Sequence, residues 1–243
     1  MRIRLHSARG RNEGLWRAAA FAVGLAVLAV ALLSPLDRWS AELFSMHMIQ
    51  HELLMLGAAP LLVLGRPLPV WLWAFGERRR DEMARMVRPD AVRRTWSALV
   101  SPGTAWLAHA LALWIWHVPK FFDAVLVSRP IHDLQHLTFL LTALMFWAAL
   151  LEERSRERRG AGILYLFTTT VHTSILGALI TFAARPWYSA YLQTPAHWGL
   201  SALEDQQLGG LIMWVPGSIV YVGMALVLLA RWIGASDSHR LQT

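Results

Sequence analysis

Six apolar runs, each about as long as a bilayer crossing, constrain the fold of this chain more than any other feature. A helix of about 20 apolar residues spans a hydrocarbon core of roughly 30 Å, with its backbone polar groups satisfied internally. With 56% hydrophobic and 16% charged residues, the chain also has more apolar surface than a soluble fold of 243 residues can bury. We therefore predict an all-α, polytopic transmembrane helix bundle that forms a single membrane domain over 1–243. The predicted spans are 16–36, 43–64, 103–118, 132–151, 161–183 and 208–231.

Basic residues are concentrated in alternate connecting segments. The segments 1–17, 65–102, 152–160 and the tail from residue 231 hold nineteen of the 23 Lys and Arg, and the other four are Arg38, Lys120, Arg129 and Arg185. By the positive-inside rule the arginine-rich segments are cytoplasmic. Six spans then place both termini in the cytoplasm, with the chain in a bacterial plasma (inner) membrane. The net charge of +7 is a topology signal in this interpretation, and no nucleic-acid partner is expected.

Two of the connecting segments are long. The cytoplasmic segment 65–102 carries an apolar stretch at 70–75 ahead of three arginines at 78–80, which predicts a short interfacial helix whose basic face contacts membrane lipid. The outer segment 184–207 is long enough to form a lid or a docking loop over the ends of the helices.

Histidine inside the predicted spans is the unusual chemistry of this sequence, because ionisable residues are costly in a membrane and mark functional sites. His47 and His51 lie four residues apart at the outer end of the second span, and His132 and His136 repeat that spacing at the outer end of the fourth. Residues four apart share one face of a helix. His117 ends the third span at the same level. The sequence therefore predicts five imidazoles in one layer.

These five histidines are the candidate metal ligands. Imidazole binds copper, zinc, iron and nickel, and thioether sulfur from Met46, Met48 or Met55, without a carboxylate-rich cage, favours copper and Cu(I) in particular. His109 lies eight residues before His117, or roughly 12 Å deeper at 1.5 Å per residue. His172 lies near the middle of the fifth span and below the layer.

Other interpretations of these histidines stay open at this point. Each can be a hydrogen-bonded packing residue. Alternatively, histidines from two helices can hold a haem in a gap lined by Gly57, Ala58 and Ala59, which would make the chain a membrane electron carrier. A copper transporter would use His109 and His172 to continue the path inward. The sequence has no cysteine and no dinucleotide- or phosphate-binding motif, and we do not expect an enzyme.

Several motifs stand out in combination. They are HMIQHELLM at 47–55, APLLVLG at 59–65, WHVP at 116–119, the pair His132 and His136, and EDQQLGG at 204–210. Together they resemble the CtaG family of cytochrome c oxidase assembly factors, the multi-span group associated with caa-type oxidases. The likeness runs from about Trp16 to Trp232.

The resemblance implies a chaperone-like protein that is needed to assemble a haem-copper oxidase, by helping copper reach the oxidase on the outer side of the membrane. The partners that it implies are cytochrome c oxidase subunits or a periplasmic copper carrier. The histidines at 47, 51, 117, 132 and 136 match the family pattern by position. Members of this family commonly have seven spans, one more than the six predicted here.

Overall fold

The computed structural model describes residues 8–65, 90–151 and 156–240, and these residues form helices with no strand among them. The helices are α1 (Ala8–Leu33), α2 (Pro35–Ser40), α3 (Phe44–Glu52), α4 (Ala59–Gly65), α5 (Asp90–Leu99), α6 (Pro102–Trp116), α7 (Pro119–Val127), α8 (Arg129–Leu151), α9 (Arg156–Thr181) and α10 (Ala202–Arg240). Two 3₁₀ turns, Ser189–Tyr191 and Thr194–Trp198, lie between α9 and α10. Within these described ranges, five helical segments are long and apolar enough to cross a membrane, and α6 with α7 is a sixth candidate, which confirms the predicted all-α bundle.

The third span ends within two residues of its predicted end and is followed by a sharp bend. α6 has 15 residues, or about 22 Å at 1.5 Å per residue, and α7 leaves it at an angle of 76°. Pro119 has no backbone N–H and disfavours the helical conformation for Val118, so one helix stops and the next starts with proline in its first turn. The break leaves His117 as the residue that caps the end of α6.

The last span begins earlier than predicted. α10 starts at Ala202, so Glu204 and Asp205 lie in its first turn and not in a loop. Ser201 and Glu204 cap the helix reciprocally, because Glu204 Oε2 accepts from the Ser201 N–H at 2.8 Å and Ser201 Oγ accepts from the Glu204 N–H at 3.2 Å. Hydropathy alone predicted the start of this helix at residue 208, because the polar first turn precedes the apolar run.

The second span contains a π-helical turn, Leu53–Ala58, between α3 and α4. Pro60 lacks an N–H, and its ring crowds the carbonyl four residues back, so a wider turn relieves the clash. The Ala59 N–H bonds five residues back, which leaves the carbonyl of Met55 without its usual helical donor. The Trp147 Nε1–H of α8 donates to that carbonyl at 2.8 Å. The π-turn therefore ties the second span to the fourth.

α10 packs closely against α9 and α3 through two adjacent glycines. A Cβ added at Gly210 would lie 2.5 Å from Thr181 Oγ1 and 2.7 Å from the Thr181 nitrogen, while one at Gly209 would overlap the ring of Phe44. Small residues allow transmembrane backbones to approach this closely. α10 therefore holds α3, which carries His47 and His51, at a set position in the bundle.

The predicted interfacial segment 65–102 is described in part. Residues 66–89, with the proposed helix near 70–75 and the arginines at 78–80, lie outside the described residues. The described remainder includes α5, on which Val92, Trp96 and Leu99 are exposed.

Candidate metal centre

The two predicted histidine pairs face each other between the second span and α8. The ring centroids of His47 and His51 lie 4.4 Å apart, and those of His132 and His136 lie 4.2 Å apart, as expected for residues one helical turn apart. Across the helices, the His47 ring is 5.2 Å from that of His132 and 5.7 Å from that of His136. The two pairs therefore form one group.

All five predicted histidines belong to this histidine layer, His47, His51, His117, His132 and His136. The His51 ring lies 5.4 Å from that of His136 and 6.2 Å from that of His117. Each side chain is at most 8% exposed. One ring nitrogen from each of His47, His132 and His136 lies within 4.8 Å of the other two, so these three form the tightest set, with His51 and His117 beside them.

Several imidazole nitrogens in the layer are buried and unsatisfied. Among the described residues, no hydrogen-bond partner is found for Nε2 of His117, His132 and His136, or for either ring nitrogen of His51. Leaving a buried polar group without a partner costs about 1–3 kcal/mol. A neutral imidazole has one nitrogen lone pair, and a metal ion bound to it would occupy such a site.

His47 is oriented from the segment between α9 and α10. Tyr191 donates its hydroxyl hydrogen to the carbonyl of Ser40 at 2.5 Å, and its oxygen lies 3.0 Å from His47 Nδ1. Burial, with a smaller contribution from the charge of Asp205, raises the pKa of Tyr191 well above its usual range, so the hydroxyl stays protonated. The tyrosine oxygen therefore accepts from His47 Nδ1–H, which places the imidazole lone pair on Nε2.

The lone pair of His47 faces the side-chain amide of Gln135. Gln135 Oε1 lies 3.1 Å from His47 Nε2. Because a lone pair on Nε2 requires a hydrogen-bond donor, the side-chain amide is rotated by 180° so that its NH₂ group donates to Nε2. Gln135 thus occupies the nitrogen that a metal ion would use, and it would have to move aside for His47 to bind one.

His117 is oriented by its own helix. Its Nδ1 lies 2.7 Å from the carbonyl of Leu113, so Nδ1 carries the hydrogen and the lone pair lies on Nε2. The hydroxyl of Tyr188 donates to the His117 carbonyl at 3.2 Å. The segment after α9 therefore contacts the histidine layer through two buried tyrosines, Tyr188 and Tyr191, in agreement with a covering segment.

Asp205 anchors the start of α3, and sequence reasoning left it outside the site. Leu43 precedes α3 with a side chain that cannot accept a hydrogen bond, so the first N–H groups of the helix need another acceptor. The Asp205 carboxylate supplies it, at 2.6 Å from the Phe44 nitrogen and 3.1 Å from the Ser45 nitrogen. Because Leu43 cannot cap α3 with its side chain, the sequence signals that another residue supplies the acceptor. It does not identify that residue as Asp205. Tyr191 and Gln135 were also missed, since no local pattern marks them.

An ion-pair bridge lies beside His132 at the predicted outer surface. Arg129 Nη1 is 3.0 Å from Asp37 Oδ2 of α2, and Arg129 Nε is 3.0 Å from Asp133 Oδ1. The Arg129 side chain is 65% exposed, whereas His132 beneath it is 8% exposed. The bridge therefore forms the solvent-facing edge of the histidine layer.

An apolar floor separates the layer from the rest of the bundle. Phe139 and Leu113 lie one turn below His136 and His117 on their helices, and they are 0% and 1% exposed. The Phe139 ring is 4.6 Å from that of His51. His109 and His172 are not part of the layer, as their spacing predicted.

The thioethers and small residues that the sequence singled out have other neighbours. Met48 and Met55 are buried in the apolar core, and Met48 Cγ would lie 3.3 Å from a Cβ added at Gly209. Gly57 lies so close to Val27 of α1 that a Cβ there would be 2.9 Å from it. Ala58 and Ala59 are fully buried.

Comparison of the sequence with known proteins identifies its family. A model of the cytochrome c oxidase caa3 assembly factor family (Caa3_CtaG) matches residues 1–235. Uncharacterized proteins of Mycobacterium bovis and Mycobacterium tuberculosis are each 25% identical over 231 residues, covering 92% of this chain and 35% of their own length. An uncharacterized protein of Mycobacterium leprae is 26% identical over 246 residues, covering 96% of this chain and 36% of its own length.

The chain thus spans about a third of the length of the curated relatives it matches. No solved structure matches it. The matched family consists of assembly factors, which agrees with the expectation that the chain is not an enzyme. Because the family model covers nearly all of the sequence, the chain belongs to the cytochrome c oxidase caa3 assembly factor family.

Proposed function

We propose that this chain assists assembly of a cytochrome c oxidase by holding copper in its histidine layer and passing it on. The receiving partner is an oxidase subunit, and the donor is a periplasmic copper carrier. The chain acts from a bacterial plasma membrane with the layer on the outer side. The observation that carries the proposal is the approach of His47, His132 and His136, whose ring nitrogens lie within 4.8 Å of one another.

The spacing of these nitrogens suits a site that releases its metal. Three nitrogens at about 2 Å from one ion would be roughly 3.3–3.5 Å apart in tetrahedral geometry. Nitrogens that lie up to 4.8 Å apart must therefore close by as much as about 1.5 Å to bind it. Gln135 must also leave His47 Nε2. Both movements cost free energy on binding, which weakens the site and eases transfer to a partner.

Copper suits the donors better than the other metals that imidazole binds. The three ligand atoms are neutral nitrogens of buried side chains, so they would not compensate the charge of a divalent ion. Burying that uncompensated charge in the membrane interior would cost much free energy. A monovalent ion has a smaller desolvation cost, and Cu(I) is the monovalent ion that imidazole binds.

Two observations weigh against the alternatives. The contact between Gly57 and Val27 fills the space in which a porphyrin would lie, which disfavours haem held beside Gly57, Ala58 and Ala59. Phe139 and Leu113 interrupt a continuous polar path inward, which disfavours a copper transporter.

Copper analysis of the detergent-purified chain, with its visible absorption spectrum, tests the proposal. The native chain is compared with a His47→Ala plus His51→Ala variant. His197→Ala is the matched control, because this histidine is exposed and lies outside the layer.

We expect copper in the native chain and in the control, with a loss in the double variant and no Soret band. A Soret band that is absent from the double variant would show that the histidines bind haem and not copper. Equal copper in all three proteins, or none in any, would make the histidines structural and leave a metal-free scaffold. In cells, the double variant should also reduce the amount of active oxidase.

A further inference from the structure

The histidine layer is more open on one side than on the others. The exposed fractions of its five side chains increase toward α8, from 0% at His47 and 1% at His51 to 3% at His117, 6% at His136 and 8% at His132. The most exposed of them lies beside the ion-pair bridge of Arg129. An ion that enters or leaves the layer therefore has its most open path past His132.

Another side of the layer is closed by packed aromatic rings. Phe122 of α7 is 0% exposed, and its ring lies 5.0 Å from that of His47 and 6.0 Å from that of His117. The ring of Tyr188 lies 4.4 Å from that of Phe122 and stacks on that of Phe44 at 4.7 Å. An ion would have to separate these close-packed rings. The aromatic side is therefore a cover and not a route.

Asp37 of α2 lies on the more open side, between the helices that carry the two histidine pairs. Its Oδ2 is 3.0 Å from Arg129 Nη1, three residues before His132 on α8. Its Oδ1 accepts from Gln50 Nε2 at 3.2 Å, three residues after His47 on α3. Residues three apart are neighbours on a helix surface. Asp37 also has a stronger electrostatic interaction with His132 than Arg129 has. Asp37 therefore joins α3 to α8 at the edge of the layer.

An amide oxygen beside Asp37 is buried without a donor. Gln50 is 0% exposed, and its NH₂ group donates to the carbonyl of Ala31 at 2.7 Å and to Asp37 Oδ1 at 3.2 Å. Because both acceptors are oxygens, the orientation of the amide is fixed. Its Oε1 finds no hydrogen-bond partner in the part of the chain that the structure describes. An oxygen lone pair, unlike an N–H group, can be satisfied by a cation. The edge of the layer thus offers a carboxylate and an unpaired amide oxygen to a passing ion.

A cleft beside Asp37 has room for an ion. It has a volume of about 420 Å³ and is lined by the end of α1 and the start of α2, at residues 32–35 with Asp37 and Arg38. The Asp37 side chain is 22% exposed, so its carboxylate is accessible at the predicted outer surface. Asp37 therefore contacts the outer cleft on one side and the edge of the histidine layer on the other.

We propose that Asp37 is the transit residue through which copper enters and leaves the histidine layer. Its carboxylate takes the ion from the outer cleft when Arg129 turns away, and the ion then passes to His132 Nε2, which is buried and unpaired among the described residues. Carboxylate oxygen is a poor ligand for Cu(I), so the ion stays on Asp37 only briefly. The identity of the ion rests on the function proposed above.

Copper release from the loaded full chain in detergent tests this route. The chain receives one equivalent of Cu(I) under anaerobic conditions and is mixed with a saturating excess of bicinchoninic acid, whose coloured Cu(I) complex reports the release rate. A competition titration gives the Kd. The uptake rate constant is the release rate constant divided by that Kd.

Three variants separate the charge of Asp37 from its hydrogen bonds. Asp37→Asn removes the charge but keeps an oxygen that can accept from Gln50, and Asp37→Glu keeps the charge. Glu42→Gln is the matched control, because the Glu42 carboxylate accepts from Trp198 Nε1 at 2.9 Å and does not belong to the bridge.

We expect Asp37→Asn to slow release and uptake by about tenfold or more, with an unchanged Kd and melting temperature, since electrostatic focusing changes the association rates of ions on the order of 10–10³-fold. Asp37→Glu should keep most of the native rate, and Glu42→Gln should match the native chain. Arg129→Gln, which opens the same passage, should speed release. A slower release from that variant would contradict the route independently of the stability of Asp37→Asn.

A native release rate in Asp37→Asn would overturn the transit route and leave the proposed function intact. Faster release with a weaker Kd would also overturn it, because Asp37 would then hold the ion or the fold and not the path. A native chain that takes up no Cu(I) gives no release signal at all. That result would contradict the proposed function, and the transit route would fall with it.

Discussion

The carboxylate of Asp205 accepts hydrogen bonds from both the backbone N–H and the hydroxyl of Ser45, at 3.1 and 2.5 Å, although 160 residues separate them. Asp205 is fully buried in the first turn of α10, and it faces the N-terminus of α3, where the helix dipole favours a negative charge. His47 follows Ser45 by two residues. The position of the last helix therefore sets the position of the first histidine pair.

Asp205→Asn should destabilise the bundle and weaken copper binding in the histidine layer. The substitution keeps the shape but removes the charge that strengthens three hydrogen bonds, each worth about 1.5–3 kcal/mol when one partner is charged. Thermal unfolding in detergent measures the loss. Glu204→Gln is the control, because that side chain is exposed and an amide oxygen can still cap Ser201. Equal melting temperatures for the two variants would show that Asp205 does not anchor α3.

Tyr191→Phe should weaken copper binding by about 10–100-fold, the usual effect of removing a group that orients a metal ligand. The variant loses the acceptor for His47 Nδ1–H and the bond to the Ser40 carbonyl. A competition titration with bicinchoninic acid measures the change in Kd. Tyr188→Phe is the matched control, since its hydroxyl bonds to the backbone of His117 and not to an imidazole. If both variants bind copper equally well, Tyr191 does not orient the site.

Arg129→Gln should accelerate copper uptake and change the stability little. The arginine is largely exposed, so its ion pairs with Asp37 and Asp133 contribute at most about 1 kcal/mol. Its positive charge repels a cation that approaches His132, and its removal leaves two uncompensated carboxylates nearby. Stopped-flow mixing at low and high salt measures the uptake rate, and the difference should shrink as salt screens the charges. Arg185→Gln, outside this bridge, should leave the rate unchanged; a slower Arg129 variant would contradict the expectation.

Gly210→Ala should strongly destabilise the pair formed by α9 and α10. The added methyl group would lie 2.7 Å from the Thr181 nitrogen and 2.9 Å from the Gly177 oxygen, and these backbone atoms cannot move without separating the helices. Overpacking typically costs 1–3 kcal/mol, and a backbone clash lies at or above the upper end of that range. Gly223→Ala on the same helix is the control, because no atom lies within 4 Å of its added Cβ. The melting temperatures of the two variants check this; equal values would contradict the close approach.

Local patterns in the sequence determined the helical class, the approximate spans and both histidine pairs. Hydropathy over about 20 residues identifies a span, and a spacing of four residues places His47 with His51 and His132 with His136 on one face. These are properties of neighbours along one helix, so they do not depend on the rest of the fold. The start of α10 was the error, because the polar first turn of this helix carries little hydropathy signal.

Only the tertiary structure decided which helix faces which. Nothing in the spans indicates that α3 and α8 are neighbours, or that Gln135 lies against His47. Tyr191 and Asp205 act on a helix about 150 residues earlier in the chain, through hydrogen bonds that no periodicity encodes. Helix order depends on close contacts such as that of Gly209 with Phe44, and such contacts follow from the packing of the whole bundle.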